Sequence, residues 1–241
     1  MDKNIQNGVI SHLLKEELKT LEQFIVFTLE QKRKLGSYYQ GDANKLKSLA
    51  IAQDCMLTIP FSSVNSHKKT ALSFIIEKSD VITKGIQGIL SFGYDDIGFS
   101  NMTEIVKNDD INEMSETFFP SFFQENILKI YELRIFYLVG EFYSMAIFSQ
   151  KDEQTKVDFR NYNYEKPNRT VPYNLPKDIE TKLDLFMKKM GLDTGSIDMI
   201  VTPELEYVFL EVNPVGQYGM TSIPCNYNLD KKIAKYLANE N

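Results

Sequence analysis

Apolar side chains recur at helical spacing along residues 9 to 35, at Ile10, Leu13, Leu14, Leu18, Leu21, Phe24, Ile25 and Leu29, with charges between them and Gly36 as a stop. That pattern predicts one long amphipathic helix. Residues 45–53 repeat it on a smaller scale through Leu46, Leu49, Ala50 and Ala52, and the strand-like run Met56-Leu57-Thr58-Ile59 follows, ended by Pro60. A short helix over 72–78 precedes a strand over 81–84, after which Gly85, Gly88, Gly93 and Gly98 mark a mobile loop or short hairpin. The aromatic stretch 117–127, broken by Pro120, reads as a connection between two lobes. Runs 132–139 and 142–147 flank Gly140-Glu141 as an antiparallel hairpin, and 151–170 is polar. Residues 177–190 form a helix with Ile179, Leu183, Phe186, Met187 and Met190 on one side and Gly191 as its stop. Strands 195–201 and 207–213 flank a turn at Thr202-Pro203-Glu204-Leu205-Glu206, and a helix over 231–237 closes an α+β pattern without internal repeats.

The last pair of strands carries the clearest chemistry. Alternation on a strand puts Glu211 and Asn213 on one face with Phe209, and Leu210 and Val212 on the other, while the hairpin brings Asp198 alongside Glu211. Three hard oxygen donors in one place suit Mg²⁺, which keeps its remaining positions for water and phosphate oxygens. The plainer alternative is the solvent-facing half of an ordinary amphipathic hairpin. Apolar neighbours on both strands favour a half-buried cleft, where unpaired carboxylates are costly without a cation.

Composition narrows the class. The 241 residues allow one large domain or two small ones, and 43% hydrophobic residues are ample for a core. A formal net charge of −6, with a pI near 5.1, argues against a nucleic-acid partner held by a basic surface. Cys55 and Cys225 belong to no C-x-x-C pair, no apolar run is long enough to span a membrane, and Met1-Asp2-Lys3-Asn4 lacks the features of an export signal. The expectation is a cytoplasmic protein with reduced thiols. His12 and His67 both sit in polar surroundings, so chemistry must rest on carboxylates, lysines, arginines and a cofactor.

A phosphate-bearing ligand needs a binding frame, and neither G-x-x-x-x-G-K-[ST] nor a G-x-G-x-x-G turn opening a helix is present. Lys84 before the glycine-rich loop, Gln124-Glu125-Asn126-Ile127, Glu132-Leu133-Arg134, Asp158-Phe159-Arg160-Asn161, Asp198 and Glu211-x-Asn213 occur in the order of the ATP-grasp family. With Ser144 to Gln150 and Phe209 to Gln217, the chain from about residue 40 onward resembles the ATP-grasp peptide maturases of the graspetide group, related to microviridin ligases. The resemblance implies an ATP-grasp fold of two α+β lobes with the nucleotide between them: an N-terminal helical segment 1–40, a first lobe 41–124 and a second lobe 125–241. It implies ATP and Mg²⁺, in the family two ions, with Mn²⁺ as a substitute. Lys84 would contact phosphates, Glu125, Asn126 and Ile127 would hold adenine, and Glu132 would accept from ribose. Arg134 and Arg160 would clamp the phosphate and acyl phosphate, next to Asn161, and Asp198, Glu211 and Asn213 would hold the metal.

The implied activity is that of a ligase that activates Asp or Glu side chains of a ribosomally made precursor peptide and closes ω-ester or ω-amide rings. The implied partner is that peptide with its leader, the assembly a monomer or homodimer. Two other readings stay open: a ligase adding an amino acid to a protein or small molecule, and an inactive nucleotide- or peptide-binding form. The family carries a further N-terminal domain where this chain has only the helix over 9–35, so it reads either as a shortened reading frame or as a natural minimal form.

Overall fold

The computed structural model describes residues 3–41, 43–87, 91–94, 97–100, 102–161 and 163–238, with the side chains of 3–7, 91–94, 97–100 and 108 left aside. Gly88 and Tyr162 therefore lie outside the described residues. The elements run α1 (Lys3–Glu30), α2 (Lys45–Asp54), β1 (Ser62–His67), α3 (Lys68–Lys78), β2 (Val81–Lys84), β3 (Ser91–Tyr94), β4 (Ile97–Ser100), β5 (Glu104–Ile105), α4 (Asn108–Glu113) and β6 (Thr117–Glu125). They continue with β7 (Tyr131–Leu138), β8 (Glu141–Phe148), β9 (Arg169–Tyr173), α5 (Lys177–Met190), β10 (Thr194–Val201), β11 (Tyr207–Asn213), α6 (Gly219–Cys225) and α7 (Leu229–Ala238).

Two antiparallel sheets carry the architecture, with strand orders β1-β6-β2-β5 and β11-β10-β7-β8-β9, and β3 pairs with β4 as a separate hairpin. In the five-stranded sheet, period-two alternation sorts side chains cleanly. Leu133, Ile135 and Tyr137 of β7 and Ile197, Met199 and Val201 of β10 enter one core with Leu183, Phe186 and Met187 of α5. α5 is fixed there by its apolar stripe, acidic residues in its first turn, lysines in its last, and Gly191 in the left-handed conformation as its cap. α2 lies on this same core through Leu49 and Ala52, although it precedes every strand of the four-stranded sheet. The β7–β8 turn places Val139 and Gly140 at positive φ, the geometry that a two-residue hairpin with right-twisted strands requires.

Two expectations change. The run 56–59 is no strand: Thr58 makes a single bridge to Val208, its carbonyl accepting from the Phe209 N–H at 2.8 Å. The strand of that region is the polar β1, held by pairing with β6 from Ser62 opposite Gln124 to His67 opposite Thr117, so its partner and not its own pattern makes it a strand. The stretch 117–125, read as a connection, is β6, flanked by both β1 and β2; Phe122 faces one core and Phe123 another.

Candidate active site

The opposite face of the five-stranded sheet carries charge. Residues skipped by the core alternation, Glu132 and Arg134 on β7 and Asp198 on β10, are buried there, and the register sets Asp198 opposite Arg134 on one side and Glu211 on the other. The Arg134 Nη1 donates to both Asp198 oxygens, at 2.8 and 2.6 Å. Arg160 donates to Glu211 at 2.9 Å and to both oxygens of Asp158 at 2.8 and 2.7 Å. From α2 the Lys45 Nζ stands 3.4 Å from Glu211 and donates to the Gly85 carbonyl at 2.9 Å. Lys84, at the end of β2, lies over the Phe122 ring. Four cations thus face the three carboxylates Asp158, Asp198 and Glu211.

One local distortion aims these groups. Asp198 pairs with Glu211 but Met199 pairs with Phe209, so Leu210 is an extra residue in β11. Two residues opposing one is a β-bulge, which breaks strict alternation. Phe209 therefore turns into the core against Phe186, ring centroids 4.8 Å apart, and Val212 joins the same core. Of the face expected for Phe209, Glu211 and Asn213, Glu211 and Asn213 both line the cleft, whereas Phe209 leaves it for the core and Leu210, expected on the other face, borders the cleft. After β11 the chain turns at Gly216, whose φ of +49 is left-handed and where a Cβ would come within 2.9 Å of the Phe136 ring.

Two connected cavities result. The larger, about 360 Å³, is lined by Lys45, Lys84, Arg134, Arg160, Glu211 and Asn213 among others. The smaller, about 60 Å³, is bounded by Glu125, Asn126, Ile127, Glu132 and Asp198. Lys84, Thr103, Arg160 and Glu211 line both, so one cleft runs from the end of β6 to the end of β11. Every residue expected in the site borders it except Asn161, which is exposed and donates to the Gln154 carbonyl at 3.0 Å. In the tight turn from Asp158, the Arg160 backbone is held by Asp158 and its side chain points inward, leaving Asn161 outside.

Charge states follow from these contacts. Burial lowers Lys84 to about 8, with Glu211 opposing. Burial would raise Asp158, yet the Arg160 guanidinium holds it at about 2. Glu211 is likewise held low against burial by Arg160, Lys84 and Lys45, whereas burial raises Asp198 despite Arg134. Glu132 is raised by burial, although Lys129 at 3.0 Å and the Ser149 hydroxyl at 2.7 Å support its charge. The Arg134 Nε is buried and has no partner among the described residues, a donor still to be satisfied.

Lys45, Lys129 and Thr103 escaped the sequence reading. A signal for Lys45 existed: a lysine opening a helix opposes the helix dipole, a local conflict of the kind that marks sites. Lys129 bridges Glu132 and the Val157 carbonyl at 2.9 Å, and Thr103 donates to Asp158 at 3.0 Å; both contacts are set by long-range packing. The donor set fits a hard divalent cation: Asp198 and Glu211 stand paired across the strands, Asn213 follows, and all ligating atoms are oxygens. Among the described residues no three acidic, histidine or cysteine side chains cluster so as to hold a metal by themselves.

No family model and no curated protein matches the sequence. Solved structures do. The macrocyclase MdnC of Microcystis aeruginosa MRC, bound with its precursor peptide MdnA, is 33% identical over 81% of this chain and 61% of its own, with a TM-score of 0.70. A RiPP-associated ATP-grasp ligase of Chryseobacterium gregarium, in complex with ADP and a leader and core peptide, is 29% identical over 93% of this chain and 68% of its own, with a TM-score of 0.79. The ATP-grasp ligase PsnB, complexed with minimal precursor variant, Mg and ADP, shares the fold at 18% identity over 81% of this chain and 58% of its own, with a TM-score of 0.64. The chain thus spans less than two thirds of the MdnC chain. Two antiparallel sheets enclosing a cleft of arginines, lysines and paired acids, together with these likenesses, show that the chain has the fold of the ATP-grasp ligases and is similar to ligases of that fold crystallised with precursor peptides.

Proposed function

We propose that the chain is an ATP-dependent ligase that activates Asp or Glu side chains of a ribosomally made precursor peptide and closes them onto hydroxyl or amine side chains of the same peptide. The observation that carries this reading is the convergence of Lys45, Lys84, Arg134 and Arg160 on Asp198 and Glu211 in one cleft between the sheets. Lys84 reaches it from the four-stranded sheet, and Arg134, Asp198 and Glu211 from the five-stranded one.

The adenine would lie against the end of β6. Phe61 and Asp80 carbonyls already engage the Glu125 and Asn126 N–H groups, so the Ile127 amide is the first hinge donor open to it. Glu132, oriented by Ser149 and Lys129, would accept from the ribose. Lys45, Lys84, Arg134 and Arg160 would grip the phosphates, and Asp198, Glu211 and Asn213 would hold Mg²⁺, which offsets charge on the transferring phosphoryl group. A peptide carboxylate oxygen attacks the γ-phosphorus, the bond to the β-phosphate oxygen breaks and ADP leaves. A hydroxyl or amine then attacks the acyl carbon, loses its proton and expels inorganic phosphate. Arg134 and Arg160 stabilise charge in both steps with fixed donors, so no histidine base is needed. An ATP-consuming ligase works where ATP is kept, so the cytoplasm goes with this reading.

Mass spectrometry tests it. Purified protein, ATP and Mg²⁺ incubated with a leader-bearing peptide encoded beside it should remove one water per ring formed, and Glu211→Gln should remove none. A gain of one amino-acid residue would assign intermolecular ligation instead, and an unaltered peptide with wild-type protein that hydrolyses ATP would defeat the peptide assignment.

A further inference from the structure

The cleft does not end at the phosphates. Successive residues on the cleft face of β7 are Glu132, Arg134 and Phe136, each about 7 Å from the next along the strand, and they border in turn the hinge end, the cationic centre and a third cavity of about 590 Å³. Leu35, Phe136, Leu192, Val215, Ile233 and Leu237 supply apolar walls to this third cavity, and none of the described residues that line it is charged. Gly41, Pro214, Val215 and Gly216 line it together with the cationic cavity, so the two adjoin at the turn after β11. Apolar surface is left uncovered there: Val215 is 77% exposed, Leu237 42% and Tyr218 37%, the Tyr218 ring lying against Phe136 with centroids 5.9 Å apart.

A nucleotide does not account for this space. With adenine at Glu125 to Ile127 and phosphates among Lys45, Lys84, Arg134 and Arg160, the first two cavities are used and the third lies beyond the phosphates. Its walls call for an apolar occupant, because a charge buried there would meet no partner. We propose that it is a specificity pocket for the peptide to be activated, taking a large apolar or aromatic side chain two residues from the reacting Asp or Glu, an assignment that rests on the ligase reading above. In an extended peptide, side chains two positions apart share a face about 7 Å from one another, which is the spacing of Arg134 from Phe136. A carboxylate drawn to Arg134 and Arg160 therefore sets the side chain two places along over Phe136, within the walls that hold Val215 and Ile233.

Two synthetic peptides, acetyl-Phe-Gly-Glu-Gly-Phe-amide and acetyl-Gly-Gly-Glu-Gly-Gly-amide, carry Phe or Gly on both sides of the acid and so cover either direction of the peptide. Ligand-observed NMR titration on protein holding Mg·ADP should show the Phe peptide binding at least about tenfold tighter, as for burial of one aromatic side chain. Ile233→Trp, which fills the cavity, and Leu237→Glu, which puts a charge on its exposed rim, should each abolish that preference, with a melting curve like that of the wild type. Equal affinities, no binding of either peptide, or a preference that persists in both variants overturns the pocket. Binding is read here without turnover, so failure of the ligase reading is seen separately, as a precursor that loses no water in the assay above.

Discussion

Lys84 and Lys45 reach the cleft in different electrostatic states, and the difference has a measurable result. Lys84 loses its proton near pH 8 because burial disfavours the ammonium, while an ordinary lysine does so at 10.5. Phosphate binding favours the charged form and raises that value. Below pH 8 the group is already protonated and contributes no pH dependence; above it, binding must take up a proton, so affinity falls by up to about tenfold per pH unit until the bound-state value is reached. Titrating Mg·ADP binding between pH 7 and 10 should show that fall and an accompanying proton uptake, and Lys84→Arg, which stays charged, should remove both. A wild-type affinity flat across this range would show that Lys84 does not meet the phosphates. Lys45→Ala should weaken Mg-nucleotide binding on the order of tenfold to a hundredfold, the loss expected of one charge-assisted contact, with little change in the fold. Residue types on strands were legible because alternation is local: Asp198 and Glu211 could be placed from their neighbours, whereas Arg134 came with the resemblance. Lys45 and Lys129 were not, since their partners lie across the fold or depend on a turn.

At the scale of elements, the bulge at Leu210 and the turn at Gly216 decide where β11 delivers its side chains. The residues of β11 read as a strand, and so they are, but an inserted residue leaves no trace in a seven-residue apolar-polar pattern. The same limit hid β1, whose Ser62-Ser63-Val64-Asn65-Ser66-His67 sequence has no strand signature of its own, and made β6 look like a linker because Pro120 interrupts it. Gly216→Ala should lower turnover at least tenfold, because a Cβ there must push Phe136 and the loop carrying Asn213 apart; steady-state kinetics with a parallel melting curve separate this from unfolding. Phe209→Ala removes a ring packed on Phe186 with no exposure and should destabilise the protein by about 3–5 kcal/mol in urea unfolding. A loss below 1 kcal/mol would mean that Phe209 is not the core residue the bulge makes it.

For the molecule as a whole, two sheets that are unremarkable separately become a site where α2, β2, β7, β10, β11 and the loop around Arg160 meet. The α+β class and the acids of the β10–β11 pair were readable from the pattern of residues, and the other residues expected at the cleft came with the resemblance; the meeting of α2 with the five-stranded sheet was in neither, because it is a long-range packing choice. Four cations against three carboxylates, nearly all desolvated, are costly to assemble unless an anion and a metal complete them. That makes Mg-nucleotide binding the claim on which the functional account stands. Isothermal titration calorimetry of the purified protein with Mg·ADP tests it most directly: saturable binding at one site per chain that is lost in Glu211→Gln and in EDTA is the expected result. Well-folded wild-type protein that releases no heat with Mg·ADP, or a Glu211→Gln variant that binds it equally well, would contradict it.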